Sequence, residues 1–183
     1  MADNVKFIPG GTVTSSKGYR AGGTYAGLKS QGPDVRDLGI LVSDEPASVA
    51  GTFSRNKILS PSVTVTKEKS ANGSARGVVA NSGCANCSVG KQGYTDAMEM
   101  TALAAEYAGV GSDEMLVGST GMIGVELPMA LVRRAVGTIE LTTEGGEDFA
   151  RSIMTTDSRI KSAAVTFSAG GAQSTIGGAA KGV

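Results

Sequence analysis

The spacing of apolar positions changes about halfway along this chain. In the first half they come in short runs. Asp37-Leu-Gly-Ile-Leu-Val-Ser43 is a compact apolar run of the kind that forms a buried strand, and Arg76-Gly-Val-Val-Ala-Asn-Ser-Gly83 is a second, which runs into a polar turn. Ser48–Ser54 and the β-branched, alternating Ser62-Val-Thr-Val-Thr66 predict two further strands. Residues 1–36 are Gly-rich and polar, with Gly10-Gly11 and Gly22-Gly23 punctuating short extended runs.

From Thr95 the period becomes helical. Ala97, Met100, Ala104, Tyr107 and Ala108 recur on one face, with Thr95 as N-cap and Gly109 as the stop just past the end. Glu114–Gly118 predicts a short strand that turns at Ser119-Thr120-Gly121. Pro128 opens a second helix at its first position, with Val132, Ala135, Val136 and Ile139 facing the core. Glu144–Met154 predicts a third helix that buries Phe149, Ala150 and Ile153. Ser162–Phe167 and Gln173–Ile176 return to strand. The pattern is mixed α/β (α+β), without internal repeat or linker, and predicts one domain over residues 1–183.

Composition narrows the function classes. The chain carries 27 Gly, about twice the usual share, no Trp, and 4% aromatics, so its core must be built from Val, Ile, Leu, Met and Ala. Lys plus Arg equals Asp plus Glu at 17 each, and no basic or acidic block stands out, which argues against nucleic acid and membrane surfaces as partners. No apolar stretch reaches the roughly 18 residues of a membrane span, and Met1-Ala2-Asp3-Asn4 shows no leader pattern. A cytoplasmic protein is the expectation.

There is no histidine. Ser-His-Asp and Cys-His catalysis are therefore excluded for this polypeptide, as are most zinc sites and the usual neutral-pH general base. Cys84-Ala-Asn-Cys87 has CxxC spacing, but no further Cys or His completes a metal site, and the pair follows a turn instead of opening a helix. It reads as two small buried residues, and no metal is expected. Ser119-Thr120-Gly121-Met-Ile-Gly124 offers a hydroxyl beside a glycine N–H, the hardware of an oxyanion hole or anion site, or simply of a structural turn. Met154-Thr155-Thr156-Asp157 at the end of the third helix could bind a polar ligand, but satisfying the helix-end backbone groups is the favoured reading of these residues alone. The last residues, Ala169–Val183, are mostly Gly and Ala, with Lys181 as the only charge. They read as a flexible, cut strand-to-loop connection, in which Lys181 is either a solvated tail residue or a lone cation suited to a substrate carboxylate.

Gly18-Tyr-Arg-Ala-Gly22, Asn81-Ser-Gly-Cys-Ala-Asn86, Ser119-Thr-Gly-Met-Ile-Gly124 with Leu127-Pro-Met129, Ile153-Met-Thr-Thr-Asp157 and Gly177-Gly-Ala-Ala-Lys-Gly182 occur in one order. In this order they resemble the α chain of the ornithine acetyltransferase family, the bifunctional glutamate N-acetyltransferases of arginine biosynthesis. The likeness runs from about residue 10 to the end. It implies a mixed α/β sandwich similar to the N-terminal-Ser aminopeptidases, and a precursor that cleaves itself before a threonine. The N-terminal piece would be this chain and the β chain its partner, in an α2β2 or larger assembly. Acetyl would pass from N-acetylornithine to that threonine and on to glutamate, with the threonine's own α-amine as base. No cofactor is implied; acetyl-coenzyme A is a further acetyl donor in bifunctional members. By the same resemblance Thr120 and Gly121 match the oxyanion-holding positions, and Thr155 and Lys181 match substrate-binding positions. Family precursors continue past the Lys-Gly motif before the cut, so the cleavage point is expected beyond Val183. The loop from Cys84 to Cys87 departs from the family's usual Asn-Ala-Asn-Ala form. Two rival readings stand beside this one. One is a self-processed aminopeptidase or amidase of related fold, and the other is a non-catalytic anion-binding module.

Overall fold

A computed structural model describes residues 5–32 and 34–182. Expectations resting on Met1–Asn4 and on the junction after Val183 lie outside the described residues. Among the described residues seven strands form two sheets. Strands β2 (Tyr19–Thr24), β3 (Leu38–Ser48), β4 (Ser74–Cys84) and β5 (Met115–Met122) make a four-stranded sheet in that order. Strands β1 (Val5–Ile8), β6 (Lys161–Ala169) and β7 (Ala172–Ala180) make a three-stranded antiparallel sheet in the order β1-β6-β7. Within the larger sheet β4 and β5 run parallel, whereas β2, β3 and β4 pair antiparallel. A parallel pair needs a long crossover. Helix α2 (Gly90–Ala108) supplies it.

Period-two alternation places the core. Leu38, Ile40, Val79, Met115 and Val117 face α2 and α1 (Pro61–Lys69), where they pack with Val65, Ala97, Met100 and Ala104. The intervening residues Leu41, Val78 and Ala80 face the other way, toward Phe149 on α4 (Gly146–Ser152). Helix α3 (Met129–Ala135) closes the first cluster with Met129, Val132 and Ala135, and Val136 and Ile139 follow it into the core. The large buried hydrophobic residues are aliphatic or Met, with Phe149 the one buried aromatic among those described.

Both predicted central strands form, and β4 and β5 extend further than expected. Gly109 ends α2 at φ 71, as its position predicted. The helix, however, starts at Gly90, so Thr95 lies on its exposed side within the second turn and caps nothing. Ser48–Ser54 is not a strand: β3 ends at Ser48 and irregular chain follows. Ser62–Thr66 is not a strand either. Ser60 caps α1 by accepting the Ser62 N–H, and Pro61 occupies the first turn. β-branched residues are weak helix formers, but here Thr66 has a particular use. Its hydroxyl donates to Val117 O at 2.6 Å and accepts the Val117 N–H at 2.9 Å. The side chain thus satisfies both backbone groups that edge strand β5 presents at that position, a conflict of propensity and tertiary contact that the contact wins.

Pro128 sits one residue before α3 instead of at its first position. The third predicted helix is shorter than expected, Gly146–Ser152, with Phe149 and Ala150 buried and Ile153 half-buried just beyond it. The Gly- and Ala-rich end is no flexible stump among the described residues. Ala172–Ala180 pairs along its whole length with β6. A side chain at Gly177 would meet Thr12 O at 2.2 Å, so the smallness of this strand is what lets the backbone at Thr12 lie against it.

Candidate functional site

The ends of β4 and β5 carry the polar residues singled out in the sequence. In the parallel register Asn81 stands beside Ser119, Ser82 beside Thr120, and Gly83 beside Gly121, with an irregularity at Gly83 and Cys84. Ser119-Thr120-Gly121 therefore lies inside a strand, not at a turn. Gly121 has φ 132, and a Cβ there would sit 2.2 Å from Gly83 C, so only glycine permits the two strand ends to close on each other. Ligands of open α/β sheets gather at the carboxyl ends of parallel strands.

A cleft of about 420 Å³ opens at this place. Thr120, Gly121, Thr155 and Lys181 all line it, together with Gly83 and Lys29. Residues far apart in sequence are thus brought to one wall: the end of β5, the segment after α4, and the end of β7. A larger cavity of about 540 Å³ runs along Arg159–Ala163 and Gly178–Ala180 and contains none of the four. It lies along the β6–β7 ladder and lacks the convergent hydroxyls and strand-end backbone of the smaller cleft.

Two carboxylates hold the cleft's walls without lining it. Asp37 is fully buried and accepts four backbone N–H groups: Ala26 at 2.6 Å, Gly27 at 3.1 Å, Leu28 at 2.6 Å and Lys29 at 3.0 Å. A buried carboxylate is tolerated only with such partners. It winds residues 26–29 into a tight loop against Gly83, where an added Cβ would meet Leu28 O at 2.3 Å. This loop carries Lys29, whose ammonium donates to Met154 O at 2.9 Å. Burial pushes the Lys29 amine below its ordinary pKa, partly countered by Asp37 and Asp157.

Asp157 organises the opposite wall. It binds the Lys161 ammonium, accepts the Gly182 N–H at 3.0 Å and accepts the Thr155 N–H at 3.1 Å. Lys161 also donates to Gly182 O at 3.1 Å. The Lys161 hydrogen bond, then those from Gly182 and Thr155, hold the Asp157 carboxyl well below the usual carboxylate range. The segment bearing Thr155 and the strand end bearing Lys181 are thereby tied to one anion.

The cysteines are free and differ from expectation. Cys84 is buried as the last residue of β4, and its Sγ contacts Val125 O at 3.1 Å, but Cys87 is only half-buried. Among the described residues no cluster of His, Cys, Asp and Glu is arranged to hold a metal ion. Nor is any helix long and apolar enough to cross a membrane. Sequence reasoning missed Lys29 and Asp37 as parts of the cleft. The one available signal was a charged residue, Asp37, abutting an apolar run that had to be buried.

Residues 20–183 match the ArgJ family. Over 182 residues the chain is 40% identical to the arginine biosynthesis bifunctional protein ArgJ of Dehalococcoides mccartyi, covering 100% of this chain and 45% of that protein. It is 42% identical over 180 residues to the protein of the same name from Symbiobacterium thermophilum, covering 97% and 44%. The crystal structure of arginine biosynthesis bifunctional protein ArgJ from Bacillus halodurans superimposes with a TM-score of 0.92 at 36% identity, covering 98% of this chain and 94% of that one. Ornithine acetyltransferase of Mycobacterium tuberculosis, solved with ornithine, gives 0.91 at 32% identity, covering 98% and 95%. The chain spans a little under half the length of these curated relatives, yet nearly all of the matched chain in each solved structure.

Proposed function

Since this chain belongs to the ArgJ family, we propose that it is the α part of a self-cleaved acetyltransferase that moves acetyl from N-acetylornithine to glutamate. The observation that carries the proposal is the cleft itself. A threonine hydroxyl, a strand-end glycine N–H, a second threonine and an ammonium group converge there, in a chain without histidine. Such a cleft can hold a substrate and a developing oxyanion, but among the described residues none of its threonine hydroxyls is hydrogen-bonded to a base. The coverage figures support a two-piece protein: the chain matches about 45% of a curated relative but 94% of a crystallised chain of the same name.

The missing pair would be the first threonine of the β chain and its own α-amine, whose reference pKa of about 7.7–8.0 leaves roughly a tenth to a sixth of it in the neutral, basic form at pH 7. The amine takes the hydroxyl proton as the threonine Oγ attacks the acetyl carbonyl carbon. The carbonyl oxygen becomes an oxyanion, which accepts hydrogen bonds from the Thr120 hydroxyl and the Gly121 N–H. Collapse breaks the C–N bond, the α-amine returns its proton to the leaving amine, and ornithine departs from an acetyl-threonine ester. The glutamate amine then attacks that ester through the same oxyanion site. N-acetylglutamate leaves, and threonine recovers its proton. Thr155 and Lys181 hold the amino-acid part of the substrate, Lys181 through a carboxylate. No cofactor enters this scheme; acetyl-coenzyme A is an alternative acetyl donor for the same ester. We further propose a cytoplasmic α2β2 or larger assembly.

The test is to express the full-length gene, determine the intact mass of each piece, and assay acetyl transfer from N-acetylornithine to glutamate. Two pieces, the second beginning with threonine, and transfer activity absent from the isolated 1–183 chain are expected. A single uncut, inactive polypeptide, or full activity in the lone chain, would overturn the proposal.

A further inference from the structure

We propose that Lys29 is a second carboxylate-binding group of the cleft, so that the site is built for an amino acid with two carboxylates. The inference rests on the acetyltransferase reading above and names how its acceptor is recognised. Lys29 and Lys181 both line the cleft, and no carboxylate stands among its described lining residues. The two nearby acids are already committed. Asp37 is occupied by four backbone N–H groups. Asp157 is occupied by Lys161, Gly182 and Thr155. The cleft lining therefore presents two cations, while Asp37 and Asp157 act on Lys29 from behind the wall and neither is hydrogen-bonded to its ammonium.

Lys29 is held in place in a way that a solvated surface lysine is not. Its backbone N–H is fixed by Asp37, and its carbonyl accepts the Tyr25 hydroxyl at 3.0 Å. One of its three ammonium donors is spent on Met154 O, one residue before Thr155. No other described residue takes the remaining two. A half-buried ammonium with two open donors is desolvated without full compensation, the condition under which a ligand carboxylate gains most. Glutamate carries two carboxylates, and Lys181 alone accounts for one. Lys29 supplies a partner for the other.

The experiment uses the purified two-chain protein. Lys29→Met and Lys29→Arg are compared with wild type for KM and kcat toward glutamate and toward its two monoamides, with calorimetric Kd values for the same ligands. Lys29→Met should raise the glutamate KM and Kd about tenfold or more while kcat falls less. It should also abolish the preference of glutamate over one of the two monoamides, and Lys29→Arg should restore most of that preference. Unchanged KM, Kd and preference in Lys29→Met would overturn the proposal. If Lys29→Met fails to assemble, reductive methylation of wild type decides: glutamate should shield the Lys29 amine and the diamide should not, and equal labelling overturns it. A wild type that binds glutamate but transfers no acetyl would refute the acetyltransferase reading, and the Kd comparison would still decide the role of Lys29. A wild type that binds no glutamate refutes the Lys29 proposal directly.

Discussion

Gly182 donates its backbone N–H to Asp157 Oδ1 at 3.0 Å, in a carboxylate that also holds the Lys161 ammonium and the Thr155 N–H. One buried acid side chain thus joins the residue after Lys181 to the segment that carries Thr155. Where these two candidate ligand-binding residues stand relative to each other depends on it.

This clamp has a pH dependence with a definite sign. The folded-state pKa of Asp157 lies well below its ordinary value of 3.8. The unfolded chain therefore binds more protons as pH falls, and the stabilisation, complete above about pH 5, fades below the ordinary value. Asp157→Asn should lower the denaturation midpoint at neutral pH and speed hydrogen exchange at the Thr155 and Gly182 amides. The difference from wild type should shrink below about pH 4. Midpoints measured across that range check it, and a gap that widens in acid would contradict it.

Gly121 and Thr120 should separate structure from chemistry. Gly121→Ala forces a Cβ to within 2.2 Å of Gly83 C at φ 132, a clash with backbone that cannot rotate away. A loss on the order of 3 kcal/mol or failure to accumulate is expected. Thr120→Ala removes a hydroxyl from the cleft wall and should leave the fold intact while slowing the proposed acetyl transfer by ~10²–10³. Denaturant titration beside steady-state rates for both variants tests the pair.

Asp37→Ala strands four N–H donors in the loop that carries Lys29. A destabilisation on the order of 3 kcal/mol is expected, with Asp37→Asn intermediate because its amide keeps one acceptor oxygen. Amide exchange at Ala26–Lys29 should rise more than at the core of β4. Uniform change across both regions would count against a local role.

Ser60→Ala should cost about 1 kcal/mol and Ser60→Gly less, because the serine oxygen caps the first turn of α1. The same hydroxyl donates toward Ala85 O and Asn86 O, at 3.3 and 3.2 Å. Equal stability of wild type and Ser60→Ala by denaturant unfolding would show that Pro61 and tertiary packing hold the helix end without the cap.

What was legible in the chain follows from how local each signal is. The buried runs of β3 and β4, the 3.6-residue stripe of α2 and its Gly109 stop are all written within a few turns or a few residues. The helix of Ser62–Thr66 was hidden because its alternating, β-branched residues mimic a strand. Thr66 is helical so that its hydroxyl can meet Val117, a partner 51 positions away. The strand from Ala172 to Ala180 was hidden because small residues look flexible until Thr12 is seen lying on Gly177.

By itself the sequence determined the mixed α/β class, an aliphatic core with few aromatics, the exclusion of histidine chemistry, and motifs whose order marks the family. Those properties depend on residue type and short-range spacing. Only the tertiary structure decided that Thr120, Gly121, Thr155 and Lys181 share one cleft, that Lys29 joins them, and that Asp37 and Asp157 hold the walls. The cleft depends on long-range contacts such as Lys29 with Met154 O, Gly182 with Asp157 and Gly121 against Gly83, made when β5, the segment after α4 and the end of β7 meet. No local pattern encodes such a meeting.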